Sequence, residues 1–314
     1  MESDLLQLTF IVSLLSGMVR ITTPILLAAL GELVAERAGV LNMGVEGTML
    51  MGAYVGFMVA AKTGSLVWAV LAAMLTGALM SLILAFMTIS LKVDQTVTGL
   101  ALNLFASGIS FYWLRVAFKN GGGSTLPSIE ILNILPVPLL SKIPIIGEIF
   151  FQHNLLTYIA FLMVPVIWFV LYRTNIGLQL RCLGENPRAL DMKGVNVPRM
   201  QYGAVIFGGM MAGLGGSVLT LGSTGLFVPE ISAGRGWLAI VIVIAGNWLP
   251  GRILLSSMFF ALLDSLQLQV QGIGIQFPYQ FLLMLPYVIA VLALIVGRAR
   301  SLAPRWLGTP YSRE

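Results

Sequence analysis

Stretches of about 20 apolar residues recur along nearly the whole chain and decide what it can fold into. A helix needs about 20 such residues to cross roughly 30 Å of hydrocarbon. Nine segments fit this length, at roughly 8–30, 40–60, 66–90, 97–118, 155–173, 201–222, 236–249, 253–271 and 279–297. Only 10% of the 314 residues are charged, against about 25% in an ordinary soluble domain. The sequence therefore predicts an all-α protein that crosses a bilayer about nine times.

Two of the nine segments leave the count open between eight and ten crossings. Residues 236–249 are short for a full crossing, and the glycine-rich stretch from Gly39 to Gly56 is compatible with a broken or re-entrant helix. The run from Gly234 to Trp237 opens the short segment much as the glycine-rich stretch opens the second one. Since transporters are often built from internal repeats, we expect two weakly related halves, near 1–118 and 155–297, within one transmembrane domain spanning residues 1–314.

Lysine and arginine are distributed unequally between the two ends of the predicted bundle. Alternating the predicted spans places twelve of the 18 basic residues at one end and five at the other, with Arg20 inside the first span. Because cytoplasmic loops carry the excess of Lys and Arg, we expect the N-terminus outside and the C-terminus in the cytoplasm of an inner (plasma) membrane protein. The net charge of +5 is dispersed among loops and does not indicate a nucleic-acid partner.

Two segments outside the predicted spans are long enough to carry contacts with other proteins. Residues 119–154 are rich in Gly and Pro and are predicted to be an irregular, turn-rich outward loop with room for one short helix. Residues 174–200 face the cytoplasm in the predicted topology. The outward loop is a candidate docking surface.

The inward loop contains a complete set of signals for one short helix. Asn186 suits the N-cap and Pro187 the first helical position, while Gly194 suits the left-handed residue after the end and Lys193 the negative end of the dipole. A helix of two turns is marginal alone. We therefore expect a partner surface to hold it, the alternative being a loop that only connects two spans.

Two runs of sequence carry a family resemblance. The run LRCLGENPRALDMKGVNVPRMQYGAVIFGGMMAGLGGSVLTLG (Leu180 to Gly222) resembles the cytoplasmic loop and following helix of permeases in the ribose and branched-chain amino acid importer superfamily. The run AERAGVLNMGVEGTMLMGAYVGF (Ala35 to Phe57) is similar to the opening motif of its nucleoside branch. The resemblance implies a cytoplasmic ABC ATPase, a second related permease subunit and an extracytoplasmic solute-binding lipoprotein as partners.

The resemblance also assigns a coupling helix that docks in a cleft of the ATPase. The residues it assigns to this contact are Gly184, Glu185, Asn186, Pro187, Arg188, Ala189, Leu190, Asp191, Met192, Lys193 and Gly194. None of the five lysines follows a glycine, so the GxxxxGK[ST] phosphate loop is absent and ATP hydrolysis belongs to a separate subunit. We expect no directly bound cofactor and no enzyme activity in this chain. The single histidine, His153, is predicted to be an exposed loop residue rather than a metal ligand.

Ionisable and polar residues inside the predicted spans are the candidates for the solute pathway. Asn42 and Glu46 share one helical face, and Asn103 and Ser107 share another. Asp264 lies in the eighth span. Each either contributes to the pathway or gating, or makes a structural hydrogen bond between helices, and Arg20 is a candidate partner for either carboxylate.

The function predicted from these observations is that of a permease subunit in an ABC importer for a small polar solute, with nucleosides favoured and simple sugars next. An ion-coupled secondary transporter is the alternative, with Glu46 and Asp264 as ion sites. That alternative leaves the capped cytoplasmic helix without a role. An intramembrane enzyme ranks third because the sequence lacks a convincing nucleophile and base pair.

Overall fold

A computed structural model describes residues 2–118, 128–138, 140–272 and 302–311, together with four positions between 284 and 291. The helices described are α1 (Glu2–Arg37), α2 (Val45–Thr63), α3 (Leu66–Ala85), α4 (Gln95–Phe118), α5 (Ile146–Phe150), α6 (Leu155–Arg173), α7 (Asn175–Glu185), α8 (Pro187–Met192), α9 (Val197–Leu219), α10 (Arg235–Ala245) and α11 (Pro250–Gly272). Two short strands, β1 (Ile134–Pro136) and β2 (Gln152–Asn154), pair antiparallel. The predicted ninth span, 279–297, and residues 119–127 of the outward loop lie outside the described residues.

Six helices of the described part are long and apolar enough to cross a membrane. They are Thr9–Arg37, Leu66–Ser90, Gln95–Phe118, Leu155–Arg173, Val197–Thr224 and Pro250–Gln271. The all-α polytopic architecture predicted from the sequence is confirmed. The count of about nine crossings is not, since α10 is too short to cross and α2, although 19 residues long, is not among the six.

The break predicted near the glycine-rich stretch falls before α2 rather than within it. Residues 38–44 form a turn, and α2 then continues unbroken from Val45 to Thr63 with most of its side chains buried inside the bundle. The short segment is α10, whose 11 residues extend about 16 Å. It is therefore a half-length helix that begins in the protein interior.

Helix α9 lies at the centre of the bundle, packed against α1, α2 and α3. Glycines bring the helix backbones together. A Cβ on Gly216 of α9 would lie less than 3.0 Å from the Met49 carbonyl oxygen of α2. A Cβ on Gly77 of α3 would also lie less than 3.0 Å from a carbonyl oxygen of α9, that of Gly209. Small residues permit such close packing where lipid supplies no hydrophobic drive between helices. The glycine-rich sequence of α9 is thus a packing feature.

The described part of the outward loop contains one short helix, α5, as the sequence allows, and a pair of strands that the sequence does not predict. β1 pairs with β2 just before α6, and Asn154 caps α6 by accepting a hydrogen bond from Thr157 N–H at 3.0 Å. His153 lies in β2 with only 2% of its surface exposed, and its Nε2 is 2.8 Å from the Ile149 carbonyl oxygen. The prediction that His153 is exposed is therefore wrong, because its ring packs against α5, which in turn packs on α1.

Helices α7 and α8 lie at the end of the bundle where α1 ends, here called the α7/α8 end. Gly184 packs so closely on α1 that a Cβ there would lie 2.6 Å from the Arg37 carbonyl oxygen. Residues 302–311 cover the same end, with Trp306 N–H donating to the Gly184 carbonyl at 2.8 Å and the Tyr311 hydroxyl to Asp191 Oδ2 at 2.8 Å.

Candidate functional site

The carboxylate of Glu46 joins the start of α2 to the start of α10. Its Oε1 accepts a hydrogen bond from Gly234 N–H at 2.9 Å, and its Oε2 accepts one from Gly236 N–H at 2.6 Å. Gly236 packs against the Glu46 backbone so closely that a Cβ on this glycine would lie only 2.5 Å from the Glu46 Cα. A negative charge at this place satisfies free N–H groups and complements the positive end of the α10 dipole. We call the contact between Glu46 and residues 234–236 the α2–α10 junction.

The other pathway candidates from the first half gather around this junction. Asn103 of α4 accepts from Gly47 N–H at 2.8 Å and donates to the Met43 carbonyl at 2.9 Å. One turn along α4, the Ser107 hydroxyl donates to the Glu230 carboxylate in the segment leading to α10. Asn42 Oδ1 accepts from Gly44 N–H at 2.9 Å and so shapes the turn before α2. The four predicted residues, Asn42, Glu46, Asn103 and Ser107, therefore lie along one polar seam between α2, α4 and α10.

Asp264 lies apart from that seam, on α11. It is partly buried, and the charge of Arg235 at the start of α10 acts on it. The next residue, Ser265, lines a cavity of about 420 Å³ between α1, the end of α9, α10 and α11, and Arg20, Arg235 and Gln269 are among its other polar lining residues. Among the described residues no ion pair joins Arg20 to Glu46 or Asp264, so the predicted partner role of Arg20 gains no support.

A second polar cluster, which the sequence analysis misses, lies near the other end of α10. Glu32 and Glu36 on α1 are each 1% exposed and Arg37 is 8% exposed. The Glu36 carboxylate accepts from Trp248 Nε1–H, and Arg37 Nη2–H donates to the Trp248 carbonyl at 2.8 Å. The predicted first span ends at residue 30, which leaves Glu32, Glu36 and Arg37 outside the membrane, whereas α1 continues to Arg37. The signal in the sequence is a pair of carboxylates four residues apart, one on each side of the apolar run 33–35.

The predicted coupling helix has the capping geometry that the sequence indicates. Asn186 Oδ1 accepts from Ala189 N–H at 3.2 Å, Pro187 opens α8, and Gly194 follows its end with φ of +81°.

The coupling residues divide into inward and outward sets. Gly184, Pro187 and Leu190 are buried in this chain, so they anchor α8 rather than face a partner. Among the exposed members, Met192 stands out with 83% of its surface exposed.

These features define a polytopic α-helical membrane protein with a buried polar junction and an exposed, capped helix at one end of the bundle. Residues 14–296 match the family described as branched-chain amino acid transport system permease components. The chain belongs to that family.

Relatives cover nearly the whole chain. The nucleoside ABC transporter permease protein NupC of Lactococcus lactis is 35% identical over 96% of this chain and 97% of its own. The guanosine ABC transporter permease protein NupQ of Bacillus subtilis is 35% identical over 92% of both chains. A Haloferax volcanii protein provisionally named as a glucose ABC transporter permease is 37% identical over 85% of this chain and 80% of its own. No solved structure matches the chain significantly.

Proposed function

We propose that this chain is the membrane-spanning permease subunit of an ABC importer and that its cargo is a nucleoside. The observation that carries the proposal is 35% identity, over more than nine-tenths of both chains, to two permeases named for nucleoside and guanosine transport. The relative named for glucose makes a simple sugar the second candidate. Both cargoes are small and polar, and both agree with a polar seam in an otherwise apolar bundle.

The α7/α8 end is the proposed contact with the ATPase. Leu190 is buried at 6% exposure and fixes α8 to the bundle, while Met192 projects outward. An isolated exposed apolar side chain beside charged neighbours is a suitable anchor for a partner cleft. This end is cytoplasmic in the proposal, which places the N-terminus outside, and a second related permease subunit and an extracytoplasmic binding lipoprotein complete the importer.

Two related halves also belong to this proposal, with residues 279–297 as a further crossing. Each half would contain a helix that starts after a turn in the bundle interior. Helices α2 and α10 are those two helices, and Glu46 links their starts. A substrate route between halves would then pass close to the α2–α10 junction.

The test is uptake by vesicles that contain the permease, its partner subunits and the binding protein. We expect labelled guanosine or adenosine to accumulate only with ATP inside, and unlabelled glucose or leucine to compete poorly. Accumulation driven by a proton or sodium gradient without ATP would overturn the ABC assignment in favour of the secondary transporter. Competition by glucose alone would overturn the nucleoside assignment.

The coupling contact is tested separately with Met192→Glu. A charge placed against a desolvated partner surface costs several kcal/mol, and about 1.4 kcal/mol is already tenfold in an equilibrium. We expect Met192→Glu to lose the co-purifying ATPase while the permease remains folded in detergent, and Met192→Leu to keep it. Normal ATPase retention and coupling in Met192→Glu would contradict this contact. Leu190→Asp is unsuitable here because it would bury a charge inside the permease itself.

A further inference from the structure

Two carboxyl groups face each other inside the end of α1. Glu32 and Glu36 are one turn apart, and both are almost fully buried. Glu32 Oε1 accepts a hydrogen bond from Asn42 N–H at 2.9 Å, and Glu36 Oε2 accepts one from Trp248 Nε1–H. The two remaining oxygens, Glu32 Oε2 and Glu36 Oε1, meet no donor from the rest of the described protein.

Glu32 Oε2 and Glu36 Oε1 therefore lie buried on the same side of α1 without a donor. An ionised carboxylate only accepts hydrogen bonds, so the two groups can bond to each other only if one of them carries a proton. Two adjacent negative charges in a buried interior are also strongly disfavoured, since like charges at this separation do not both ionise. A single shared proton therefore supplies the missing donor and removes one of the two charges.

The surrounding charges decide which carboxyl is ionised. Within the described ranges, the cation that acts on the pair is Arg37, which follows Glu36 in the chain. Tyr172 of α6 and Glu185 of α7 favour the charge of Arg37, and Arg181 of α7 repels it. Glu36 also receives the indole N–H, whereas Glu32 receives only one backbone N–H. Glu36 thus has the better environment for a negative charge.

We propose that Glu32 and Glu36 form a proton-binding site, in which Glu32 holds the proton and donates it in a hydrogen bond to an ionised Glu36. The site rests on no assumption about cargo or energy source. It places one net negative charge beside one net positive charge, Arg37, in the buried end of α1.

The site holds a strained turn. Asn247 and Trp248, between α10 and α11, have φ of +53° and +55°, a left-handed backbone conformation that is uncommon for residues other than glycine. Trp248 is 3% exposed and is fixed through both its indole N–H and its carbonyl, by Glu36 and Arg37 respectively. The protonated pair keeps Glu36 in position to hold this turn, and removal of the proton would drive the two carboxylates apart and release it.

The test is infrared difference spectroscopy on purified protein in lipid at about pH 7.5, where an ordinary glutamate is ionised. A protonated carboxyl gives a C=O band that is separate from carboxylate bands and shifts in D₂O. We expect that band to be present in the wild type and lost in Glu32→Gln. Glutamine at 32 replaces the O–H donor with an N–H donor, so this variant should keep the wild-type melting temperature.

A measurement on the wild type alone guards against a variant that fails to fold. Protein labelled with ¹³C only in its glutamate carboxyl groups should show the protonated band displaced by the isotope, because the proton resides on a glutamate. Absence of any displaced band overturns the proposal. A glutamate band that survives Glu32→Gln overturns the assignment of the proton to Glu32.

Discussion

Glu46→Gln tests whether the α2–α10 junction holds the half-length helix α10 in place. The wild-type carboxylate offers one oxygen to Gly234 N–H and the other to Gly236 N–H. Glutamine has nearly the same shape but only one acceptor oxygen. One of the two backbone N–H groups should therefore lose its partner at a site where Glu46 is only 9% exposed.

The magnitude follows from those contacts. An unsatisfied buried donor costs about 1–3 kcal/mol, and loss of a charge that complements a helix dipole adds about 0.3–1 kcal/mol. The start of α10 should lose roughly 1.5–4 kcal/mol of local stability, which is roughly a 10- to 1,000-fold increase in its opening equilibrium.

Hydrogen exchange followed by mass spectrometry on peptides covering residues 234–245 measures this opening directly. The matched control is Glu148→Gln, the same substitution at an exposed position on α5, which should leave exchange in α10 unchanged. Unchanged exchange in Glu46→Gln would refute the reasoning that Glu46 holds α10.

Uptake measured per folded permease then separates the two interpretations of Glu46. We expect transport by Glu46→Gln to fall further than the amount of folded protein, as a pathway or gating role requires. Equal losses would favour a purely structural hydrogen bond, and a fully active variant would remove Glu46 from the mechanism.

Three further predictions concern topology, packing and pH. In a background without the native cysteine, Lys62→Cys should react with an impermeant thiol reagent added outside intact cells and Lys193→Cys should not; the reverse labelling would invert the proposed orientation. Gly216→Ala should sharply reduce folded protein, since its Cβ would lie less than 3.0 Å from a backbone oxygen of α2, whereas Gly203→Ala in the same helix meets nothing within 4 Å and should be tolerated; equal yields would contradict the packing argument. Burial lowers the pKa of His153 below its usual value of 6.5. Neutral His153 therefore contributes to stability above about pH 6.5, and this contribution is lost as the pH falls toward the folded-state pKa. Between about pH 7.5 and 5 the melting temperature should fall more in the wild type than in His153→Gln, and identical slopes would contradict this.

Features set within a turn or two of the chain were predictable from sequence. The cap at Asn186, the proline at 187 and the left-handed Gly194 each act on neighbours within a few residues, and the structure contains all three. The span predicted at 155–173 coincides with α6, since a long apolar run bounded by Asn154 and Arg173 leaves little choice of boundary.

Features that depend on distant partners were not predictable. Glu46 accepts hydrogen bonds from Gly234 and Gly236, which lie 188 and 190 positions further along the chain. No local pattern in the sequence specifies that pairing. His153 is buried because its ring contacts α5, and α5 packs on the distant helix α1. From its immediate neighbours in the sequence, which are typical of turns, His153 is predicted to be exposed. The count of about nine crossings is not confirmed, because α10 is too short to cross and α2 is not among the six long apolar helices of the described part.

The two polar clusters share one helix. Glu46 fixes the start of α10, and Glu36 with Arg37 fixes the turn just after its end. All three residues belong to the continuous segment formed by the end of α1, the turn 38–44 and the start of α2. Because α10 is only about 16 Å long and is tied to that segment at both ends, we expect it to move together with that segment.

The same segment carries the close contact between the Arg37 carbonyl and Gly184, so displacement of α7 and α8 by a bound partner would act first on the end of α1 and through it on α10. Any movement of the polar seam that accompanies transport should therefore be a rigid displacement of α10 together with the start of α2.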